Sequence, residues 1–254
     1  SVLEPAQALT SRGWQLDLIE VDEQCRVTPQ ALAEKLHRDT RLVSVMTANN
    51  ETGVIQDIAG LAAQACSAGA IFHTDAIQAA GKIALDFESS GVQLLTLSAH
   101  KIYGPKGVGA LIVDKSLQLT PLIYGGGQEK GLRAGTENVA GIVGFGVAAE
   151  LAGTQLEQRA ARARGLRDRL EQGLARYREI TMFAREAERL PNTVQLAVAG
   201  IDGETLLMQL DRAGIAVSSG SACASGKNEA SHVLMAMGVD ADIARGAIRV
   251  SLGK

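Results

Sequence analysis

The stretch Ser98-Ala-His-Lys-Ile-Tyr-Gly-Pro-Lys-Gly-Val-Gly109 lies between two short apolar runs, 92–97 and 110–113. Runs of this length beside glycine and proline are typical of buried strands joined by a turn. Lys101 comes at the end of the first strand, so we expect its side chain to enter the interior. A buried lysine loses its charge readily, and a neutral amine forms Schiff bases with carbonyl compounds. Two interpretations remain open here: a surface lysine in a turn, or a lysine that holds pyridoxal phosphate (PLP).

Length and composition are those of an ordinary globular protein. The chain has 254 residues, 46% hydrophobic and 21% charged, which is enough for one large domain or two modest ones. A net charge of −3 and an aromatic content of 3% argue against a surface for nucleic acid or anionic membranes. No apolar run has the length of a membrane span, and the residues after Ser1 lack a signal-peptide pattern.

The cysteines and histidines favour neither a disulfide framework nor a metal site. There are three cysteines and four histidines, and they show no paired or metal-ligand spacing. We therefore expect a reducing, cytoplasmic location and no bound metal. Cys25 and Cys66 are predicted to be structural, His73 a satisfied strand residue and His37 a surface residue.

Short strands and helices alternate along the first part of the chain. Strands are predicted at 15–21, 42–46, 70–74 and 94–98, and helices at 29–37 and 58–68. This order is typical of an α/β fold with a mostly parallel sheet.

The second part of the chain has a different pattern. A long helical region, 139–177, is followed by predicted strands at 193–198, 215–218 and 247–251 and helices at 203–212 and 231–237. The strand at 193–198 alternates as if one face were solvated. We predict a large domain, 1–152, that binds a cofactor and a small α+β domain, 153–254.

Polar residues end three of the predicted parallel strands. They are Asn49 and Asn50, then Asp75, and finally Ser98, His100 and Lys101. Ligands of parallel sheets bind beyond the carboxyl ends of the strands, so these side chains are expected to share one pocket.

The residue types at these ends match the chemistry of PLP. A carboxylate such as Asp75 would keep a pyridine nitrogen protonated, which strengthens the ring as an electron sink. Gln78 would lie on the same face and donate to the phenolate oxygen, while Ser98 and His100 would donate to a phosphate. Asp75 could instead be a helix N-cap.

Two residues of the second part are further candidates. Cys223 lies in Val217-Ser-Ser-Gly-Ser-Ala-Cys-Ala-Ser-Gly226, whose small residues predict an exposed, mobile loop and a cysteine that can attack as a thiolate. Arg249 points to the opposite face from its strand neighbours, and it is either a solvated edge residue or a clamp for a carboxylate.

Six motifs together resemble the cysteine desulfurases, which belong to the class V aminotransferase group on the PLP fold-type-I scaffold. The match covers essentially the whole chain in the same order. The motifs are Asn49-Asn-Glu-Thr-Gly53, His73-Thr-Asp-Ala-Ile-Gln78, Ser98-Ala-His-Lys-Ile-Tyr-Gly-Pro-Lys-Gly107, Arg133-Ala-Gly-Thr-Glu-Asn138, Ser218-Ser-Gly-Ser-Ala-Cys-Ala-Ser225 and Ile248-Arg-Val-Ser-Leu-Gly253.

The resemblance implies a role for each candidate. Lys101 would hold PLP covalently, and Cys223 would take the sulfur of L-cysteine as a persulfide, with L-alanine as the other product. The persulfide sulfur would pass to an acceptor such as an iron–sulfur scaffold protein. The substrate carboxylate would be bound by Asn50 and Arg249. The cofactor would be contacted by Asp75, Gln78, Ser98, His100 and Asn50, and by Thr136 from the partner subunit of a homodimer.

The resemblance also implies segments that this sequence does not contain. Family members carry a phosphate-binding loop and a ring-stacking histidine before the position of Ser1, and further helices after that of Lys254. We therefore expect a PLP fold-type-I large domain and a small C-terminal domain that are both truncated. The alternatives are a selenocysteine lyase or another class V PLP lyase, or a fragment without catalytic competence.

Overall fold

The computed structural model describes residues 2–219 and 230–253, whose strands form two sheets. The strands are β1 Leu42–Met46, β2 Ile71–Asp75, β3 Leu94–Ser98, β4 Gly109–Val113, β5 Ile180–Met182, β6 Thr193–Val198, β7 Ser218–Ser219 and β8 Ala247–Ser251. The helices are α1 Leu3–Thr10, α2 Pro29–Lys35, α3 Ile58–Ser67, α4 Phe87–Ser90, α5 Val139–Thr154, α6 Leu156–Leu174, α7 Gly203–Arg212, α8 His232–Ala236 and α9 Ala241–Arg245. Ala99–Ile102 and Gln128–Gly131 are 3-10 turns.

The first sheet has the order β1-β2-β3-β4. Its first three strands are parallel, and β4 is antiparallel to β3. Parallel neighbours need a crossover, which α3 provides between β1 and β2. The side chain of Asp57 caps this helix by accepting from Gly60 N at 3.1 Å. Leu61 of α3 packs with Phe72 of β2 in one buried cluster, so the predicted α/β arrangement is confirmed.

The second sheet is antiparallel throughout, with the order β5-β6-β8-β7. Two expectations for it are wrong. Residues 215–217 of the strand predicted at 215–218 are unpaired, and the described part of the strand that pairs with β8 is Ser218–Ser219. The alternation in 193–198 does not mark a solvated face, because Thr193 and Gln195 are both buried. The turn at 49–53 covers that face.

Residues 15–21 do not form a strand, although they alternate like one. Ile19 packs against the core of the first sheet, whereas Val21 packs against a separate cluster that includes residues of the second sheet. The alternation therefore reflects packing of side chains two positions apart against two neighbouring clusters, without pairing to another strand. Such a pattern cannot be distinguished from a strand without knowing whether a neighbouring strand is present.

The predicted helical region 139–177 is two helices, α5 and α6, bent by 69° where they meet. Asn138 begins α5 by accepting from Gly141 N at 3.1 Å. Among the described residues no single helix combines the length and apolarity of a membrane span, and α5 with α6 does so only as this bent pair. The domain boundary at 152–153 remains a prediction; it lies close to the bend.

Candidate active site

The carboxyl ends of β1, β2 and β3 lie at one edge of the first sheet. Met46 pairs with Asp75, and Asp75 pairs with Thr96, across the parallel strands. The hydrogen bonding continues past the end of β2, because Ala76 N donates to Thr96 O at 3.1 Å. The expected convergence of the strand ends is confirmed, and Asp75 lies on the strand next to the one that leads to Lys101.

Lys101 lies in the 3-10 turn Ala99–Ile102, and its side chain is exposed. The expectation that it enters the interior is therefore wrong. With three residues per turn, the first and fourth residues of such a turn share a face. Ala99 and Ile102 occupy the buried face, which leaves Lys101 and its neighbour His100 directed away from the core.

Ser98 and His100 contact each other beside Lys101. The hydroxyl of Ser98 and Nδ1 of His100 lie 2.7 Å apart, so two groups that can donate to an anion are held together. The backbone returns sharply after this turn at Gly104. A Cβ atom at Gly104 would lie 2.9 Å from the carbonyl oxygen of Ala99, so only glycine fits there without displacing the turn.

Asp75 is buried, with an exposed fraction of 5%. Its Oδ1 accepts from Ile77 N at 3.0 Å, so Asp75 also caps the turn that follows it. This agrees with the alternative prediction that Asp75 is an N-cap. Gln78 is half-buried in that turn, and its carbonyl oxygen accepts from Nζ of Lys82 at 2.6 Å. The turn that carries Gln78 is thereby closed at its end by a lysine.

Lys82 belongs to this site, and the reading of the sequence missed it. Burial and, to a smaller extent, the nearby positive charges of Lys101 and Arg249 together lower the pKa of Lys82 to about 8. Lys101 and Arg249 thus both lie within electrostatic reach of Lys82. The available signal was a lysine inside the apolar stretch 79–84, where a solvated lysine is not expected.

His73 has partners on both sides of β2. Its Nδ1 lies 2.7 Å from the hydroxyl of Ser44, and its Nε2 lies 3.3 Å from that of Thr96. Burial lowers the pKa of His73, with the carboxylate of Asp75 opposing the change. These contacts agree with the prediction of a satisfied strand histidine. His37 is exposed, as predicted.

Arg249 reaches the strand-end edge from the second sheet. It lies in β8 between Gln195 of β6 and Ser218 of β7. Its Nη1 donates to the carbonyl oxygen of Asn50 at 2.7 Å, and its Nη2 donates to the hydroxyl of Ser218 at 3.2 Å. Arg249 is half-buried, so it is not the solvated edge residue that was one of the two expectations. The structure therefore brings Asn50 and Arg249 together.

The other candidates are not joined to this cluster within the described residues. Thr136 is exposed, and Cys223 lies outside the described residues. Cys25 is buried, and burial raises the pKa of its thiol to about 11, which agrees with the structural role predicted for it. Cys66 is half-buried and not disulfide-bonded. The described part of the chain contains no cluster of three or more potential metal ligands.

Comparison with known proteins identifies the family. The model of the class-V aminotransferases matches residues 1–254. This chain belongs to that family.

Curated relatives and solved structures agree with the assignment. The chain is 50% identical to a cysteine desulfurase of Gluconacetobacter diazotrophicus, over 96% of this chain and 61% of that protein. It is 49% identical to a cysteine desulfurase of Bradyrhizobium diazoefficiens, over 100% of this chain and 65% of that protein. The chain thus spans less than two thirds of the length of these relatives.

The structural similarity extends over nearly the whole chain. A NifS-like protein from Rickettsia africae superposes with a TM-score of 0.88 and 35% identity, over 97% of this chain and 67% of that one. A structure described as SspA in complex with cysteine gives a TM-score of 0.84 and 32% identity, over 99% of this chain and 70% of that one. The fold of this class-V aminotransferase is accordingly the PLP fold-type-I scaffold.

The cofactor of the family is PLP, and the residues at the strand-end edge fit it. PLP needs a carboxylate for its ring nitrogen, an amine for its aldehyde and donors for its phosphate. Asp75, Lys101 and the contacting pair of Ser98 and His100 supply these groups at one edge of the sheet. The pKa of Lys82 is lowered by burial and then by the positive charges of Lys101 and Arg249, and such unbalanced positive charge is what an anion-binding site shows before its ligand compensates it.

Proposed function

We propose that this chain is part of a PLP-dependent cysteine desulfurase, which takes sulfur from L-cysteine and releases L-alanine. The observation that carries the proposal is the bond of 2.7 Å from Arg249 to the carbonyl oxygen of Asn50. It brings a guanidinium from the second sheet to the edge where Asp75 and Lys101 lie. A substrate that binds there has a carboxylate partner and a cofactor lysine in the same cleft. The desulfurase relatives and the cysteine-bound structure support the substrate class.

Each residue has one task in this proposal. The amine of Lys101 binds the cofactor and exchanges protons with the substrate, and Asp75 holds the proton on the ring nitrogen. Ser98 and His100 donate to the phosphate, Gln78 donates to the phenolate oxygen, and Asn50 and Arg249 orient the substrate carboxylate. Cys223 would attack the substrate sulfur as a thiolate, so that an S–S bond forms as the substrate's Cβ–S bond breaks. The electron pair of the broken bond stays with the carbon skeleton, which takes up a proton and leaves as L-alanine, while Cys223 keeps the sulfur as a persulfide. PLP itself supplies the electron sink that weakens the bonds around the α-carbon.

The lysine assignment is tested by absorbance after addition of PLP. We expect a visible band from the covalently bound cofactor in the wild-type protein and its loss in Lys101→Ala. Lys106→Ala is the matched control, since Lys106 is an exposed lysine in the same loop and its variant should keep the band. Absence of a band in the wild type would support a fragment without catalytic competence.

The cysteine assignment is tested by turnover of L-cysteine, measured as sulfide in the presence of a thiol reductant and as alanine. Cys223→Ser should keep the PLP band and lose turnover by at least about a hundredfold, because the hydroxyl is a far weaker nucleophile toward sulfur. Cys66→Ser is the control and should turn over normally. Unchanged turnover in Cys223→Ser would instead indicate a selenocysteine lyase or another class V lyase.

We further propose that the protein is a homodimer through the exposed face of α5. Val139, Val143 and Val147 repeat every fourth residue there and are 64%, 61% and 53% exposed, and Leu122 is 94% exposed. Apolar stripes of this kind usually mark an interface. Sedimentation velocity should show a dimer that Val143→Glu converts to a monomer. Thr136, close to this helix in sequence, would then reach the partner's cofactor phosphate.

The wider cellular role follows from the same proposal. A persulfide on Cys223 requires an acceptor, for which an iron–sulfur scaffold protein or another sulfur carrier is suitable. A cytoplasmic location would match the absence of any paired cysteine spacing in the sequence. We also propose the division into domains 1–152 and 153–254, which the bend between α5 and α6 supports.

A further inference from the structure

The turn at 49–53 is docked onto the second sheet through a buried carboxyl group. Glu51 is only 3% exposed. Its Oε2 accepts from the hydroxyl of Ser231 at 2.5 Å and from Nε2 of Gln195 at 3.2 Å. Ser231 begins α8, since its hydroxyl also accepts from Leu234 N at 3.2 Å. One carboxyl of the first part of the chain thus joins two elements of the second.

The same turn holds both members of one cross-strand pair. Gln195 of β6 lies directly opposite Arg249 of β8, so the two side chains share a face of the sheet. Glu51 binds the side chain of Gln195, while the carbonyl oxygen of the adjacent residue, Asn50, accepts from Arg249 at 2.7 Å. The position of that carbonyl is therefore set by where Glu51 is anchored.

Among residues 2–219 and 230–253, the guanidinium of Arg249 has one side-chain hydrogen bond besides its bond to Asn50. Nε of Arg249 is buried and has no hydrogen-bond partner among the described residues. Its remaining contact, to Ser218, is the longer one at 3.2 Å. An arginine with a buried, unpaired donor depends on the contacts it does make for its orientation. The bond to Asn50 is the shorter of the two and is the one that Glu51 controls.

We propose that Glu51 is a positioning residue for the carboxylate-binding guanidinium of Arg249. The proposal rests on the role proposed above for Arg249. Glu51 does not touch the substrate; it fixes the turn on the sheet so that the carbonyl of Asn50 stays in place. Hydrogen bonding, rather than charge, does this work, so a glutamine at position 51 can accept the same two bonds.

The electrostatic surroundings of Glu51 agree with a role that depends on hydrogen bonding rather than on charge. Burial raises the pKa of Glu51, and the hydrogen bond from Ser231, the charge of His232, the hydrogen bond from Gln195 and the charge of Arg249 oppose the increase. The net direction is a raised pKa, which favours the neutral carboxyl, so a neutral isostere is compatible with this position.

The test compares Glu51→Ala with Glu51→Gln in the PLP-loaded protein. Glu51→Ala should raise the KM for L-cysteine about tenfold with kcat within about twofold, which is the signature of a lost ground-state contact. Glu51→Gln should stay within about twofold of the wild type. Cysteamine, which lacks the carboxylate, should bind equally well to all three proteins. Equal losses for L-cysteine and cysteamine would overturn the proposal, since they would indicate general damage.

A double-variant cycle shows whether Glu51 acts through Arg249. In an Arg249→Ala background, adding Glu51→Ala should change the KM by less than about twofold, because the shared interaction is already lost. A full tenfold effect in that background would overturn the proposal.

A measurement without cofactor or substrate separates this inference from the proposed function. The rate of phenylglyoxal modification at Arg249, followed by mass spectrometry, should rise about fivefold in Glu51→Ala and stay unchanged in Glu51→Gln, because a released guanidinium is more accessible. The exposed Arg178 is the internal reference. An unchanged rate in Glu51→Ala would overturn the inference, whereas a wild type that does not bind PLP or amino acids would overturn only the proposed function.

Discussion

Lys82 should make the stability of this protein depend on pH in a defined direction. The substitution is Lys82→Met, which keeps most of the apolar stem and removes the ammonium. The pKa of Lys82 falls from its ordinary value of 10.5 to about 8 in the folded protein, first through burial and then through Lys101 and Arg249. Between these two values the unfolded chain binds a proton that the folded protein does not. The stability of the wild type relative to the variant must therefore rise as the pH rises through this window.

The magnitude follows from the two pKa values. The unfavourable contribution of Lys82 is largest below about pH 8 and disappears above about pH 10.5. Linkage gives a change of about 2 kcal/mol between about pH 7.5 and about pH 9.5. Residual solvent contact of the half-buried side chain screens part of it, so we expect about 1–2 kcal/mol.

The assay is urea unfolding of the wild type and of Lys82→Met at a series of pH values, without PLP, since a bound anion would raise the pKa of Lys82 again. The difference between the two proteins cancels other titrations, including that of Cys25, whose pKa of about 11 is common to both. Lys115→Met corrects for the loss of one exposed charge. A difference that is flat, or that falls with pH, would refute the reasoning.

Three further predictions test the fold, each by the free energy of unfolding in urea. Gly53→Ala should lower the free energy of unfolding by about 1–2 kcal/mol, because φ is +78° there and the new Cβ atom would lie 2.9 Å from Cβ of Thr193. Gly165→Ala lies in open space within α6 and should instead raise the free energy of unfolding by about 0.5–1 kcal/mol. The opposite ranking would contradict the docking of the turn at 49–53 onto the second sheet. Asp202→Ala should cost about 1 kcal/mol by removing the cap at the start of α7, while Asp202→Asn should be nearly neutral. Phe72→Ala should cost about 3–5 kcal/mol, since the ring is 0% exposed; a loss below about 1 kcal/mol would contradict its place in the core.

Much of the fold was accessible from the sequence because its signals are local. The helix predicted at 29–37 begins at Pro29 as α2 does, and the hydroxyl of Thr28 caps it by accepting from Ala31 N at 3.1 Å. The helix predicted at 203–212 agrees in its bounds with α7. Such signals depend on residues a few positions apart, where the chain geometry is fixed by secondary structure itself.

The short strands were less accessible. Residues 15–21 alternate without forming a strand, and of 215–218 only Ser218 is paired, together with the following Ser219. Both segments have the side-chain pattern of a strand, but a strand exists only where another one offers its backbone hydrogen bonds. That partner is chosen by tertiary structure, so the pattern alone could not decide.

Some features of the candidate site were likewise accessible from the sequence, and others were not. The sequence by itself determined the order of the strands and therefore which residues end them: Asp75, Ser98 and Lys101 lie at one edge because parallel strands end together. Only the tertiary structure decided that Lys101 is exposed, that Lys82 lies near it, and that Arg249 binds Asn50 across 199 positions of sequence. The spacing of residues along the chain cannot predict these contacts. They arise from the packing of the two sheets against each other, which local sequence patterns do not determine.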